Sequence, residues 1–540
     1  IADLSHFELQ NSLQSHQRYR NWSIPMEVEL AALEDIGYTI DRRKLYGNSV
    51  YNSGIEFVNN NPFYDLKDGQ YIEGAPSTQS QAMGLHVYGS NNTITQNSQL
   101  LADGDESMGI RVDGTSNKLT VAKASKVTAN GLNGRGINFA YGKEHELNVE
   151  GTVTALGENG KALAFDFGDN MLGNGREYRG SYIRVKVDDD KVYNNTTFLS
   201  ALEGALVNEV NISGSVKGKD AAIYIAPNAF VKNITIKNSA ELQGDIISDW
   251  SPTGGYPNIL GKNLTVEEKH IHLPEGEVGL TRLNFAGDNL SYAGNIDSKT
   301  DAFACASFIM NVNSGSLNYE GIAKIDSVNV AKGAILQGGT FKLDKEGSHI
   351  REGLSKENSG KLINKGMLSA ALPNGSDTVL SIEGAVVNDG GTMGFIGNAG
   401  NQGRIKIDGS LEGDKVLAIN PNGLYLPGDS YDISDLVTVN GEKQNFAEIQ
   451  AYNNGVLKAV YNDDFTQLDF AVTGAIQETE AAKEMGNLGR ALAKQGATEK
   501  ELQVVDIFKM EPAQANKTLK SIKAREAANI PAVMQQNNMV

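Results

Sequence analysis

His270 and His272 stand one residue apart, with Glu268 two residues before the first of them. On a β-strand that spacing puts all three side chains on one face, a donor set of the kind that holds zinc or copper. An exposed polar strand face has the same pattern, so neither a metal nor a cofactor is assigned. Asp188-Asp189-Asp190 offers carboxylate oxygens for Ca²⁺ but lacks the spaced ligands and turn glycine of a dedicated loop, and reads as a solvated bend. Asp463-Asp464 and Glu267-Glu268 are neighbours whose side chains leave a strand on opposite faces, so neither pair is a facing acid–base couple. No G-x-S-x-G elbow or phosphate loop sits in a strand-turn-helix context. His6, His16, His86, His145 and His349 have no nearby Ser, Cys or Asp constellation in the sequence. No catalytic residue follows, and the chain reads as a non-enzyme.

The elements that would carry these residues are short strands. From about Leu85 apolar residues alternate with polar ones, and the pattern repeats. Gly84-Leu85-His86-Val87, Gly109-Ile110-Arg111-Val112, Gly136-Ile137-Asn138-Phe139 and Ala162-Leu163-Ala164-Phe165 recur at spacings of 25, 27 and 26 residues. A second phrase follows the first three, at Thr93-Ile94-Thr95, Lys118-Leu119-Thr120-Val121 and Glu146-Leu147-Asn148-Val149. It returns at Glu209-Val210-Asn211-Ile212, Asn233-Ile234-Thr235-Ile236 and Asn263-Leu264-Thr265-Val266. A repeat of this length without a helical phrase is one coil of a β-solenoid, whose inward Ile, Leu, Val and Ala are buried only against the coils above and below. Outward positions hold Thr, Asn, Lys and Arg, giving one dry face and one wet one. A series of β-sandwiches is the alternative, but sandwich strands do not recur as similar phrases at fixed spacing.

Four segments follow. Residues 1–50 contain one helix, with Ser23 as N-cap, Pro25 in the first turn, Met26, Leu30 and Leu33 at helical spacing, and Gly37 at its end. Residues 51–370 form the solenoid. Residues 371–474 remain β, with hairpin turns expected at Gly423–Asp429 and at Tyr461–Phe465. Residues 475–540 turn to Ala, Glu, Lys and Gln, with one helical stripe through Met485, Leu488 and Leu492, another through Leu502, Val505 and Phe508, and a capping box at Thr498 and Glu501. The fold expected is all-β, a right-handed parallel β-solenoid with a small N-terminal helical segment and a C-terminal helical linker.

Composition agrees. The 540 residues include 59 Gly but only two Trp and one Cys, and carry a formal charge of −18 spread along the chain. That charge disfavours nucleic acid and anionic lipid, and Cys305 alone makes no internal disulfide. No apolar run is long enough for a membrane helix and no signal peptide opens the chain at Ile1, so a targeting segment is removed or the sequence starts inside its gene.

A Gly/Asn-rich solenoid, a terminal β section ending near Val472-Thr473-Gly474 and an Ala-rich helical linker, in that order, resemble the passenger, autochaperone and linker of classical (type V) bacterial autotransporters. Phe165-Asp166-Phe167-Gly168-Asp169-Asn170 and Glu177-Tyr178-Arg179-Gly180-Ser181-Tyr182 are the most family-like phrases. Arg525-Glu526-Ala527-Ala528-Asn529-Ile530-Pro531-Ala532, followed by Asn537-Asn538-Met539, looks like the tail before the membrane barrel, whose alternating segments the sequence does not reach. The resemblance implies export through the periplasm and outer membrane, display at the bacterial surface or release from it, and a native β-barrel partner in cis.

The first segment is similar to the C-terminal end of leishmanolysin-like zinc proteases in Ser5-His6-Phe7-Glu8, Asn11-Ser12-Leu13-Gln14-Ser15 and the run Glu29 to Tyr38. The resemblance puts His6 at the third zinc ligand. The chain has no H-E-x-x-H, and Gln14 stands where the family has Met, so His6 is read as a remnant ligand position only.

The functional expectation is an adhesin that attaches to host cells, other bacteria or matrix and promotes aggregation. It would be a monomer that binds a surface protein or glycan through outward ladders, with Tyr88, Tyr141, Tyr178, Tyr182 and Tyr224 as aromatic candidates. The rival is the stalk of a zinc protease whose H-E-x-x-H half lies upstream. A weaker third reading is a polysaccharide-active solenoid, which requires clustered carboxylates on one ladder.

Overall fold

Stacking of equivalent phrases decides the architecture. In the computed structural model, Met83–Val87, Met108–Val112, Arg135–Phe139 and Lys161–Phe165 pair in parallel and in register, so Leu85, Ile110, Ile137 and Leu163 form one buried column and Val87, Val112, Phe139 and Phe165 another. The glycine of the phrase sits where successive coils approach closely. A Cβ on Gly84 would lie 2.7 Å from the Gly109 carbonyl oxygen, and one on Gly109 would lie 2.6 Å from that of Gly136. Only a residue without a side chain fits there.

The second phrase stacks likewise, through Thr93–Gln96, Lys118–Val121, His145–Val149, Val207–Ile212, Val231–Lys237, Thr281–Tyr292, Phe308–Tyr319 and Ser327–Val330. A third column runs through Leu100–Leu101, Lys126–Thr128, Thr152–Ala155 and Ser215–Ile225. The protein is a parallel β-helix with few helices, and the sandwich alternative falls because these long-range pairings are parallel between equivalent strands of successive repeats.

The described residues are 9, 12–13, 22, 24–168, 171–172, 177–179, 183–188, 192–198, 204–226, 229–250, 279–298, 308–344, 359–370, 378–397 and 402–522, with backbone only over 171–198. They fall into two units, 1–334 with 341–362 and 335–340 with 363–540.

In the first unit the corners stack as well as the strands. Gln81, Glu106, Asn133 and Asn159 all take left-handed conformations, with φ of 59, 56, 56 and 57°. The N–H groups of Gln81, Glu106 and Asn133 donate to the carbonyls of Asp105, Leu132 and Glu158 in the following coil, at 2.7–2.8 Å. A left-handed non-glycine residue costs about 1–2 kcal/mol, and the ladder hydrogen bond gained at each corner offsets much of it.

Another corner lies between the first and second phrases. It takes five residues in five coils, 51–55, 88–92, 113–117, 140–144 and 226–230, but spans 166–206 and 249–280 in two others. Within the first long segment, Met171–Leu172, Glu177–Arg179, Ile183–Asp188 and Val192–Phe198 form their own antiparallel sheet. The phrase at 263–266 lies outside the described residues. The register position beyond Asn233–Ile236, where that phrase was expected, is taken by Arg282–Phe285.

The N-terminal helix spans Glu27–Asp35 and starts later than Ser23 implies, with Met26 at the N-cap. Glu29 explains the shift, because its carboxylate accepts the Met26 N–H at 2.6 Å and so satisfies a helix-start donor from within. Leu30 packs with Tyr46, Met83 and Met108, and Trp22, Ile24, Leu33 and Leu45 lie against that cluster.

In the second unit, Val379–Asn388 pairs in parallel with Arg404–Glu412, which pairs with Val437–Val439. Ser430–Asp432, Gln467–Val472 and Leu457–Tyr461 form an antiparallel sheet. The expected hairpin at Tyr461–Phe465 is present, with Asn462 Oδ1 accepting the N–H of Thr466 and Gln467. The segment Gly423–Asp429 does turn, at Leu426–Asp429, yet its flanking strands pair elsewhere. The Tyr425 ring lies buried on Phe470 at 4.1 Å, and that packing holds the segment in place of a hairpin ladder.

Helices follow at Thr479–Lys494, Glu499–Leu502 and Pro512–Ser521, with the Thr498/Glu501 capping box formed. Met485, Val505 and Phe508 are buried, whereas Leu488, Leu492 and Leu502 are half-buried. Gly489 lets the first helix approach closely, since a Cβ there would lie 2.6 Å from Val505 Cγ1.

Gly109→Ala is expected to destabilise the protein by about 2–3 kcal/mol, because overpacking forces the coils apart. Gly474→Ala, where nothing lies within 4 Å, should stay within about 0.5 kcal/mol of wild type. Chemical denaturation of both variants measures the difference.

Candidate binding face

Alternation along the second-phrase strands sends every other residue outward, and exact register turns those residues into a column. Thr95, Thr120, Asn148, Asn211, Thr235, Asn284, Asn311 and Asn329 are successive register partners, all half-buried. Their amides are linked with one polarity. Asn211 Nδ2 donates to Asn148 Oδ1 at 3.2 Å, Asn311 to Asn284 at 2.8 Å and Asn329 to Asn311 at 2.9 Å. Two residues earlier, the five middle strands carry longer polar side chains, Lys118, Glu146, Glu209, Asn233 and Arg282, where Lys118 and Glu146 pair at 3.1 Å and Asn233 donates to Glu209 at 2.7 Å. Adjacent rungs are about 4.8 Å apart, so the face is a flat array of regularly spaced hydrogen-bonding groups. Such a face suits an extended polar partner and offers no enclosed space for a small substrate.

A second polar constellation lies inside. His86 Nε2 meets Asp113 Oδ2 at 2.8 Å, and Arg111 holds both oxygens of Asp113, through Nε at 2.8 Å and Nη2 at 3.2 Å. All three side chains are fully buried. Arg111 Nη1 also donates to the Trp22 carbonyl, Trp22 Nε1 donates to the Asp166 carbonyl, and the Arg135 guanidinium lies 4.4 Å from the Trp22 ring. His86 therefore does have an acidic partner, contrary to the sequence expectation, because in-register coils bring together residues 27 positions apart. Ser49 is the register neighbour of His86, so a Ser, a His and an Asp lie on successive coils, without a hydrogen bond from the Ser49 hydroxyl to the imidazole. Arg111 neutralises the carboxylate and solvent reaches none of His86, Arg111 or Asp113, so the cluster fixes the Trp22 segment to the solenoid instead of doing chemistry.

His145 belongs to a third column. Asn117 Oδ1 accepts the backbone N–H of Asn92, and His145 Nδ1 accepts that of Asn117 at 3.1 Å. The His145 Nε2–H donates to the Tyr141 carbonyl at 2.9 Å. The imidazole does the work of an asparagine amide and must stay neutral, and burial pushes its pKa down to about 4.

The remaining sequence candidates are dispersed or outside the described residues. His270, His272, Glu267, Glu268, His6, Asp189, Asp190 and Tyr182 fall outside them. Asp188 ends its strand opposite Val192, and Tyr178 pairs with Met171 and Val185 in backbone register. Asp463 and Asp464 are exposed in the hairpin loop. Tyr88 packs against Tyr51 and His86, Tyr141 against Phe167, and Tyr224 donates to Asp249 at 2.9 Å, so these rings serve packing first. Among the described residues no group of three His, Cys, Asp or Glu could hold a metal. Comparison with known protein families, with curated proteins and with solved structures finds no match.

The unfolded chain protonates His145 near pH 6.5 and the folded one only near pH 4, so stability should fall as pH drops through that window, by on the order of 3 kcal/mol. His145→Asn restores the amide of the preceding coil and should flatten this dependence. Urea midpoints between pH 4 and 7 compare the two proteins. Asp113→Asn strands buried Arg111 and should cost about 3–5 kcal/mol.

Proposed function

We propose that the chain is a secreted, surface-displayed passenger of the bacterial autotransporter type and acts as an adhesin. Its partner is a protein or glycan on host cells or other bacteria, and its contact surface is the Thr/Asn ladder face. The observation that carries this reading is the ladder itself, whose eight register partners present the same two polar side-chain types. A stack of coils gains contact area in proportion to its length while each rung contributes little, and extended shallow recognition needs that arrangement.

The order of parts supports the autotransporter assignment. A parallel β-helix is followed by an antiparallel section and then by helices packed on it through Gly486 and Gly489, in the succession of passenger, autochaperone and linker. A C-terminal outer-membrane barrel in cis and a location at the bacterial surface belong to the same proposal.

Binding of the labelled chain to epithelial cells, matrix proteins and other bacteria, with an unrelated solenoid as control, is expected to saturate on one of them at physiological salt. Thr120→Arg/Asn211→Arg/Asn311→Arg places three bulky cations on the ladder outside the apolar core and should weaken that binding at least about tenfold; the variant loses ladder hydrogen bonds and should melt somewhat lower, so binding is compared well below its melting temperature, where circular dichroism matches the wild type. Absence of saturable binding by the wild type would sink the adhesive reading, and undiminished binding by the triple variant would sink the ladder as its surface.

A further inference from the structure

We infer that Arg282 is the charged anchor of a carbohydrate subsite on the ladder face, and that the glycan taken there carries a carboxylate-bearing sugar of the uronic or sialic acid type. The inference rests on the adhesive reading and narrows it to the chemistry of the partner at one place on that face.

Arg42, Arg43, Arg111, Arg135, Arg404 and Arg490 each lie against a carboxylate. Arg282 differs from them, since its guanidinium has no carboxylate or hydrogen-bonding partner among the described residues. It is half-buried on the ladder face, two residues before Asn284 on the strand Thr281–Tyr292. Its register neighbours are Asn233 on one side and Ile309 on the other, and neither is acidic. Glu209, the nearest acid in the column, is two rungs away and already accepts from Asn233 Nδ2 at 2.7 Å. A guanidinium without a counter-charge, in a chain with 66 acidic residues against 48 basic ones, is free to take an anion from outside.

Four neighbouring positions give the subsite its shape. Arg282 and Ile309 occupy one column, Asn284 and Asn311 the next, with rungs about 4.8 Å apart and alternate residues of a strand about 7 Å apart. Asn311 Nδ2 donates to Asn284 Oδ1 at 2.8 Å, and Asn329 Nδ2 donates to Asn311 Oδ1 at 2.9 Å. A side-chain amide has two N–H donors and two acceptor lone pairs, so each ladder bond leaves one of either kind for sugar hydroxyls. The half-buried Ile309 offers an apolar surface to the C–H face of a ring. The planar fork of Arg282 matches a carboxylate through two parallel hydrogen bonds. A neutral glycan would cover the guanidinium without replacing its water, which costs affinity. Past Ala286 the corner carries Lys237 and Asp288, one charge of each sign.

An acidic peptide fits this place less well. Extended peptides dock on a sheet by adding main chain at an open edge, and Thr281–Tyr292 is paired on both sides, with Val231–Lys237 and with Phe308–Tyr319. One cation is also too few for duplex nucleic acid, where some 6–10 phosphate contacts are usual.

Titration of the purified chain against an array of hexuronic and sialic acid glycans, their methyl esters, sulfated glycans and polyglutamate tests the assignment. The wild type should bind at least one carboxylated glycan and lose that binding when the acid is esterified. R282Q should bind the same glycan at least about tenfold more weakly, with circular dichroism and melting unchanged because the side chain holds no partner. R282K keeps the charge without the fork and should fall between the two. N311R adds a cation but fills the space of the ring, and should also bind more weakly. The proposal is overturned if no carboxylated glycan binds, if the esters bind equally well, if polyglutamate or a sulfated glycan binds more tightly, if R282Q loses nothing, or if N311R binds more tightly than the wild type. Cell binding by the same proteins separates the two readings. Equal binding of cells by the wild type and R282Q sinks the subsite alone, whereas a wild type that binds no cell, matrix protein or bacterium sinks the adhesive reading.

Discussion

Equivalent residues of successive coils must lie directly above one another, and the rest of the structure follows from that constraint. A coil of this size cannot bury its apolar side chains alone, because its interior is open above and below. Stacking closes it. Parallel register then repeats whatever one coil does in the next, so a close backbone contact becomes the glycine column through Gly84, Gly109 and Gly136, and a strained corner becomes the left-handed series from Gln81 to Asn159. At Gln81, Glu106 and Asn133 the strained corner is matched by a hydrogen bond to the neighbouring coil, which has the same shape.

The same repetition governs buried polar groups. Asn92 and Asn117 lie almost wholly inside, yet their side chains serve the backbone of the corner, and His145 takes over the acceptor role where the asparagine column stops. Arg111, Asp113 and His86 are a different solution, in which a charge pair and an imidazole satisfy one another beneath the N-terminal segment. A buried pair of this kind adds little net stability compared with apolar packing, but it is costly to break. Its consequence is positional, because the Trp22 carbonyl is tied to Arg111 and the Trp22 ring to Arg135 and Asp166.

Surface variety arises where the stacking rule leaves freedom. Outward positions of the strands must be compatible with a neighbour about 4.8 Å away, and Thr and Asn meet that demand by hydrogen bonding along the column. Corners are freer still. A corner that closes in five residues in one coil holds a whole antiparallel sheet in another, and the pairing on its far side absorbs it with one irregularity, between His145 and Glu146, before register resumes. Loops on a rigid scaffold diversify at low cost in stability.

The sequence by itself determined the solenoid, its repeat length, the inward and outward faces of its strands, the Tyr461–Phe465 hairpin and the Thr498 cap. Each of these rests on local pattern, with period-two alternation, a phrase recurring at 25–27 residues and short-range hydrogen-bonding groups. Only the tertiary structure decided which phrases stack on which. It placed Arg282–Phe285 beyond Asn233–Ile236, paired His86 with Asp113, aligned eight Thr and Asn residues into one face and moved the helix start from Ser23 to Met26. Those outcomes depend on register between segments separated by one or more coils, and insertions of variable length break any fixed count along the chain. Position in a β-helix is set by the neighbour in space, and a linear pattern does not encode that neighbour.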